Sequence, residues 1–160
     1  LQLIERHRVT HLHMVPTMFV RLMKLPPDVR SKYDLSSLKF VVHAAAPCPP
    51  DIKRGMIEWW GPIINEYYGA TETGAVVFCT ADEWLRQPGT VGRPQPDVKL
   101  VILDEAGKPT GVGEAGDVYV RLTTSGDFTY HGDDAKRRKS NVPPPRAATT
   151  RVFELSGTET

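Results

Sequence analysis

Cysteine is scarce in this chain: Cys48 and Cys79 are the only two in 160 residues. Two thiols in a domain of this size make no disulfide framework, which points to a reducing cytoplasm. No Cys–His spacing reads as a zinc site. No apolar run approaches the length of a membrane span. An excess of either charge is missing as well. Lys and Arg together number 20 and Asp and Glu 19, for a formal net charge of +1. That balance argues against a polyanion-binding surface, so nucleic acid is not an expected partner. No basic segment leads into an apolar one with a small-residue cleavage site, so no signal peptide is visible. Residue 1 is Leu and no initiating Met is present. The chain therefore reads as an interior piece of something longer.

What is present is about one domain's worth of sequence, with 40% hydrophobic residues to build a core. Leu1 to Arg8 suits the end of an amphipathic helix. Val9 to Val15 reads as a strand. Within it His11 and His13 share a side. With no third ligand placed nearby, a half-buried sheet face explains them better than a metal pair. Thr17 is placed to cap a helix from Met18 to Leu25, which Pro26-Pro27 ends. Lys39 to His43 is the next strand. Asp51 to Trp60 is a second amphipathic helix with Ile52, Met56, Trp59 and Trp60 inward, and Gly61 is its stop. Ile63 to Tyr67 is then a strand. Strand, helix, strand at this spacing predicts an α/β fold with a parallel sheet flanked by helices. Past Pro96 the texture changes. Val98 to Leu103 and Val118 to Leu122 read as strands with no helix between them, which predicts a small antiparallel, β-rich subdomain. The expected organisation is residues 1–96, then 97–140, then a tail over 141–160 that lacks periodicity and is expected to be disordered.

The most informative stretch is Asn65-Glu66-Tyr67-Tyr68-Gly69-Ala70-Thr71-Glu72-Thr73-Gly74. A tyrosine ring can stack on a base. A glycine lets backbone turn and approach a ligand closely. A threonine offers a hydroxyl and an N–H to phosphate oxygens. A carboxylate suits magnesium, which takes oxygen ligands. Taken alone, the same residues also read as a strand, a glycine turn and a threonine cap.

The neighbouring blocks decide between the two. Upstream stands Phe40-Val41-Val42-His43-Ala44-Ala45-Ala46-Pro47-Cys48-Pro49. Downstream stand Gly89-Thr90-Val91-Gly92-Arg93-Pro94 and Gly113-Glu114-Ala115-Gly116-Asp117-Val118-Tyr119-Val120-Arg121. From about Leu1 to about Ser140, this ordered set resembles the AMP-forming adenylate synthetases, most closely their acyl-CoA synthetase branch. That family reads small-small-Ala-Pro, Tyr-Gly-x-Thr-Glu, Val-Gly-x-Pro and Gly-Glu-x-Gly-Glu-Leu-x-x-Arg. Asp117-Val118 replaces the usual Glu-Leu, a mild departure.

The resemblance implies a two-step reaction. A carboxylate, from a fatty or other apolar acid, attacks the α-phosphate of ATP to give acyl-AMP and pyrophosphate. A thiol, usually that of coenzyme A, then takes the acyl group. Thr71 would hold the α-phosphate and Glu72 the magnesium. Tyr68 would lie on the adenine face. Ala44, Ala45, Ala46 and Pro47, with Gly69, would let backbone approach the nucleotide. The implied partners are the acid, ATP, Mg²⁺ and coenzyme A.

The family's upstream phosphate loop, its ribose-binding aspartate and its lid lysine have no counterpart in this sequence. Thr123-Thr124-Ser125-Gly126 lacks the trailing glycine and lysine of such a loop and is rejected. The run Lys136-Arg137-Arg138-Lys139 reads as a solvated face, and Asp133-Asp134 as a helix start. The expected behaviour of the isolated chain is inactivity and self-association. An amino-acid-activating adenylation domain and a noncatalytic remnant stand as alternatives.

Overall fold

Three parallel strands hold the framework of the first half. In the computed structural model, which describes residues 1–124 and 131, β1 (His11–Met14) pairs in parallel with β2 (Phe40–His43), His11 opposite Phe40. Strand β2 pairs in parallel with β3 (Ile64–Ala70), His43 opposite Glu66. Each parallel step needs a crossover. Helices α2 (Pro16–Met23) and α3 (Pro27–Ser31) supply the first, and α4 (Pro50–Trp60) supplies the second. Helix α1 (Gln2–His7) precedes β1. Strand β4 (Gly74–Cys79) follows β3 after a three-residue turn, and helix α5 (Ala81–Arg86) leads to the short β5 (Arg93–Pro94). The sheet order is β1-β2-β3-β4-β5.

A separate two-stranded sheet pairs β6 (Val98–Leu103) antiparallel with β7 (Asp117–Leu122), Val98 opposite Leu122. The α/β architecture with a small β-rich part is thus as the sequence predicts. The described residues cluster into two compact units, 1–69 with 77–93, and 70–76 with 94–124.

One face of the five-stranded sheet carries the core. Met14, Val41, Ile64 and Cys79 from successive strands meet Phe19 of α2, Met56 and Ile57 of α4, and Trp84 of α5. Helix α2 packs against α4. The opposite face carries rings: His11 lies 5.9 Å from Phe40, and His13 lies 5.6 Å from Tyr67, centroid to centroid. His11 and His13 do share a side. Among the described residues no group of three His, Cys, Asp or Glu could hold a metal. Both cysteines are free, and no described helix is long and apolar enough to cross a membrane.

Several local readings are corrected. Thr17 is not the cap of α2. The helix starts at Pro16, with extended Val15 at its N-cap and no side-chain cap bond. Proline at the first helical position has φ preset and loses only an N–H that had no helical partner. Pro27 likewise opens α3, so the pair that ends one helix starts another. Of the four α4 residues expected inward, Met56 is fully buried, while Ile52, Trp59 and Trp60 are only partly so. All four pack on the core, and Lys53 and Ile57 are buried beside Met56 as well. Strand β3 runs on to Ala70, because β4 pairs beside it. The basic run, Asp133-Asp134 and the 141–160 tail lie outside the described residues.

Candidate functional site

Parallel strands put their carboxyl ends on one side of a sheet, where open α/β folds take ligands. His43 is the last residue of β2, and Ala44 to Pro47 continue from it. Ala44 is buried, whereas Ala45, Ala46 and Pro47 are exposed. Ala45 has φ 73°, in the left-handed region that non-glycine residues rarely enter. Such strain survives only where the surroundings enforce it, and it concentrates at ligand-holding segments. Tyr68 lies near the carboxyl end of β3, the neighbouring strand. It is half-buried, and burial raises the pKa of its phenol. The ring therefore offers an uncharged face.

The remaining motif residues form the tip of a hairpin. Thr71, Glu72 and Thr73 make the turn after Ala70. The Thr73 N–H donates to the Ala70 carbonyl at 3.2 Å, and the Ala70 N–H reaches the Thr73 hydroxyl at 3.3 Å. Thr71 is exposed and Glu72 half-buried. Gly69 is not the turning residue. It sits within β3, and the positive φ of 65° falls on Gly74, just past the turn. Thr73, not Thr71, is the threonine whose side chain closes the loop. The Thr71 hydroxyl and the Glu72 carboxylate are the donor types a nucleotide phosphate and a magnesium ion require.

The glycine of Val91-Gly92-Arg93-Pro94 has a packing reason. Gly92 has φ 99°, and a Cβ there would stand 1.9 Å from the Phe78 carbonyl oxygen. The strand entering β5 can lie this close to β4 only without a side chain.

Sequence reasoning missed a buried polar cluster. Lys53 of α4 is 0% exposed and its ammonium donates to the Glu66 carboxylate of β3. The same ammonium lies 5.1 Å from the centre of the Trp84 ring. His43 is also 0% exposed, and both its ring nitrogens lack a hydrogen-bond partner. Its Nε2 stands 3.6 Å from Glu66 Oε2. Desolvation, followed by the nearby Lys53 charge, lowers its pKa to about 3, so the ring is neutral and this approach is not an ion pair. Burial likewise raises the Cys48 thiol to about 11. That thiol is therefore no nucleophile near neutral pH. The sequence signals only that Lys53 shares a helix face with Met56 and Ile57, three and four residues on; its pairing with Glu66 is not written there.

The chain belongs to the AMP-binding enzyme family, whose model matches residues 1–125. It is 35% identical over 122 residues to a medium/long-chain-fatty-acid–CoA ligase of Mycobacterium tuberculosis, covering 75% of this chain and 21% of that protein. It is 33% identical over 129 residues to a probable CoA ligase of Humulus lupulus, covering 78% and 23%. Among solved structures, the amide bond synthetase McbA from Marinactinospora thermotolerans superposes with a TM-score of 0.78 at 30% identity, covering 87% of this chain and 28% of that one. An anthranilate CoA ligase in complex with anthranoyl-AMP gives 0.74 at 27% identity, covering 86% and 26%. The chain thus spans about a fifth to a quarter of the curated relatives it matches.

Proposed function

We propose that this chain is part of an AMP-forming acid–thiol ligase that activates a carboxylic acid, of fatty or similarly apolar kind, and passes it to coenzyme A. The observation that carries this reading is Tyr68 near the carboxyl end of β3, a strand in register with β2, from which the small-residue segment Ala44–Pro47 continues.

Carboxylates are weak nucleophiles toward a polyanion, so the reaction depends on positioning and charge stabilisation. In the first step the carboxylate oxygen bonds to the α-phosphorus and pyrophosphate leaves. Thr71 binds an α-phosphate oxygen and opposes its charge. Glu72 would hold magnesium, which would supply charge neutralisation on the phosphates. Tyr68 stacks on adenine, and the backbone of Ala44, Ala45, Ala46 and Pro47 lines the base edge. Gly69 keeps the strand backbone accessible beside the ring. In the second step the thiol sulfur bonds to the acyl carbon and AMP leaves. The proposed organisation assigns residues 1–96 to the α/β part of this nucleotide-binding unit, followed by a β-rich part that holds β6 and β7. The two free thiols fit a cytoplasmic setting.

Similarity to an amide bond synthetase favours a second reading for the acceptor alone: an amine in place of the thiol. Both readings share the adenylation step. The test replaces the matching segment of a full-length CoA ligase with residues 1–124 and measures ATP–pyrophosphate exchange with fatty acids. Exchange, followed by acyl-CoA on adding coenzyme A, is the expected result. Exchange followed by product only with an amine selects the second reading. No exchange in a folded chimera rejects both.

A further inference from the structure

The segment Ala44–Pro49 is flanked at both ends by residues packed against Glu66. At its start His43, on β2, faces Glu66 in register on β3. Past its end Lys53, one turn into α4, donates to Glu66. All three side chains are buried or nearly so. The edge of the Phe19 ring closes on His43 at 5.3 Å between centroids, and the Trp84 ring covers the Lys53 ammonium. Burying an ion pair is seldom the most stable way to fill such a space, since apolar residues of similar volume often do as well. What an ion pair adds is a fixed geometry between the elements it joins. Here the joined elements are β2, β3 and the amino-terminal turn of α4.

We infer that Lys53 and Glu66, with His43 against them, are positioning residues that clamp the Ala44–Pro49 segment and the end of β3. The strained Ala45 lies two residues past His43. Tyr68 lies two residues past Glu66 on the same strand, and so on the same face. The clamp sets the spacing between the backbone proposed to line the base edge and the ring proposed to stack on it. Its contribution to nucleotide binding rests on the adenylation reading; the clamp itself does not.

Two measurements test it. The first is hydrogen–deuterium exchange on the 160-residue chain, without nucleotide. Lys53→Met leaves a buried carboxylate unpaired and can unfold the protein, so the double variant Lys53→Met/Glu66→Gln is measured beside it. In the folded double variant, amides over 40–48 and 64–70 should exchange about tenfold faster, with the β6–β7 hairpin and β1 unchanged. Unchanged rates, or an equal rise through β1 and α2, overturn the clamp. The second measurement places the double variant in the exchange-competent chimera. The expected result is a KM for ATP raised about tenfold with kcat changed less than about threefold. A fall in kcat at constant KM, or no change, overturns the role in binding. An inactive parental chimera sinks the adenylation reading instead, and the exchange of amides then decides the clamp alone.

Discussion

His43 Nε2 lies 3.6 Å from Glu66 Oε2, yet the histidine is neutral and hydrogen-bonded to nothing among the described residues. The carboxylate's proton-donating partner is Lys53, and the imidazole is left as a polar ring in a core of Phe19 and Val41. Burial is the main cause of its low pKa and the Lys53 charge the second.

A pH dependence of stability follows. The folded ring titrates at about 3 and an ordinary histidine at 6.5. Between those values the unfolded chain binds a proton that the folded chain refuses. Stability is therefore fully present above about pH 6.5 and falls as pH drops toward 3, by roughly 1.4 kcal/mol per unit at the steepest. Urea midpoints of the wild type and His43→Leu at pH 7.5 and 5 check this. The wild type should lose stability on acidification relative to the variant. Equal losses would mean that His43 is not buried neutral.

Gly92 permits no side chain. A Cβ there meets the Phe78 carbonyl and carbon and the Cys79 Cα within 2.6 Å, all of them backbone, at a φ of 99°. Gly92→Ala should cost about 3 kcal/mol or more, since neither strain nor clash can be relieved by a rotamer change. Gly89→Ala, in the same loop with φ 92° and nothing near its Cβ, meets only the conformational penalty and should cost clearly less. Thermal melts of the two variants provide the comparison, and similar losses would count against the close approach of β5 to β4.

Helix α5 is held by reciprocal bonds. The Thr80 hydroxyl accepts from the Glu83 N–H at 3.2 Å, and the Glu83 carboxylate accepts from the Thr80 N–H at 3.0 Å. Thr80→Ala should destabilise by about 1 kcal/mol, and Thr80→Ser should recover most of it. Denaturant midpoints that do not separate these variants would show that the cap is not formed in solution.

These cases show where the sequence could be read and where it could not. The parallel framework was legible because Val9–Val15, Lys39–His43 and Ile63–Tyr67 are apolar runs separated by a helical pattern and by prolines. The antiparallel pair was legible from the β-rich runs either side of Asp104-Glu105-Ala106-Gly107. Thr80-Ala81-Asp82-Glu83 is a capping-box pattern, the local signal that starts α5. Strand β4 was hidden because Gly74 to Cys79 continues a motif read as a ligand loop. The Lys53–Glu66 pairing could not be read at all. Lysine at a helical position reads as solvated, and only the fold brings it under Trp84 and against a strand 13 residues away.

Glu72 is the sharpest test of the proposed chemistry. In the exchange-competent chimera, Glu72→Ala should reduce adenylate formation by ~10²-fold or more, as the loss of a charge-stabilising group does. Glu72→Asp should retain part of the rate if magnesium binding is its role. ATP–pyrophosphate exchange measures both, and a rate untouched by either substitution removes Glu72 from the site.

The chain by itself should not turn over. Its proposed nucleotide contacts are Tyr68, Thr71, Glu72 and the backbone of Ala44–Pro47, whereas the resemblance calls also for a phosphate loop, a ribose-binding aspartate and a lid lysine with no counterpart in this sequence. Catalysis on phosphates needs several donors held together in a water-poor cleft, and one threonine and one carboxylate do not make that set. The proposed stacking on Tyr68 would give ~1 mM affinity at best, equivalent to about 4 kcal/mol. The purified 160-residue chain, given ATP, magnesium, a panel of fatty acids and coenzyme A, should form neither acyl-AMP nor acyl-CoA. Mass spectrometry of the quenched mixture detects either product. Sustained turnover, abolished by Thr71→Ala, would show that a much smaller set of contacts suffices for adenylation than the charge on the reacting phosphate requires.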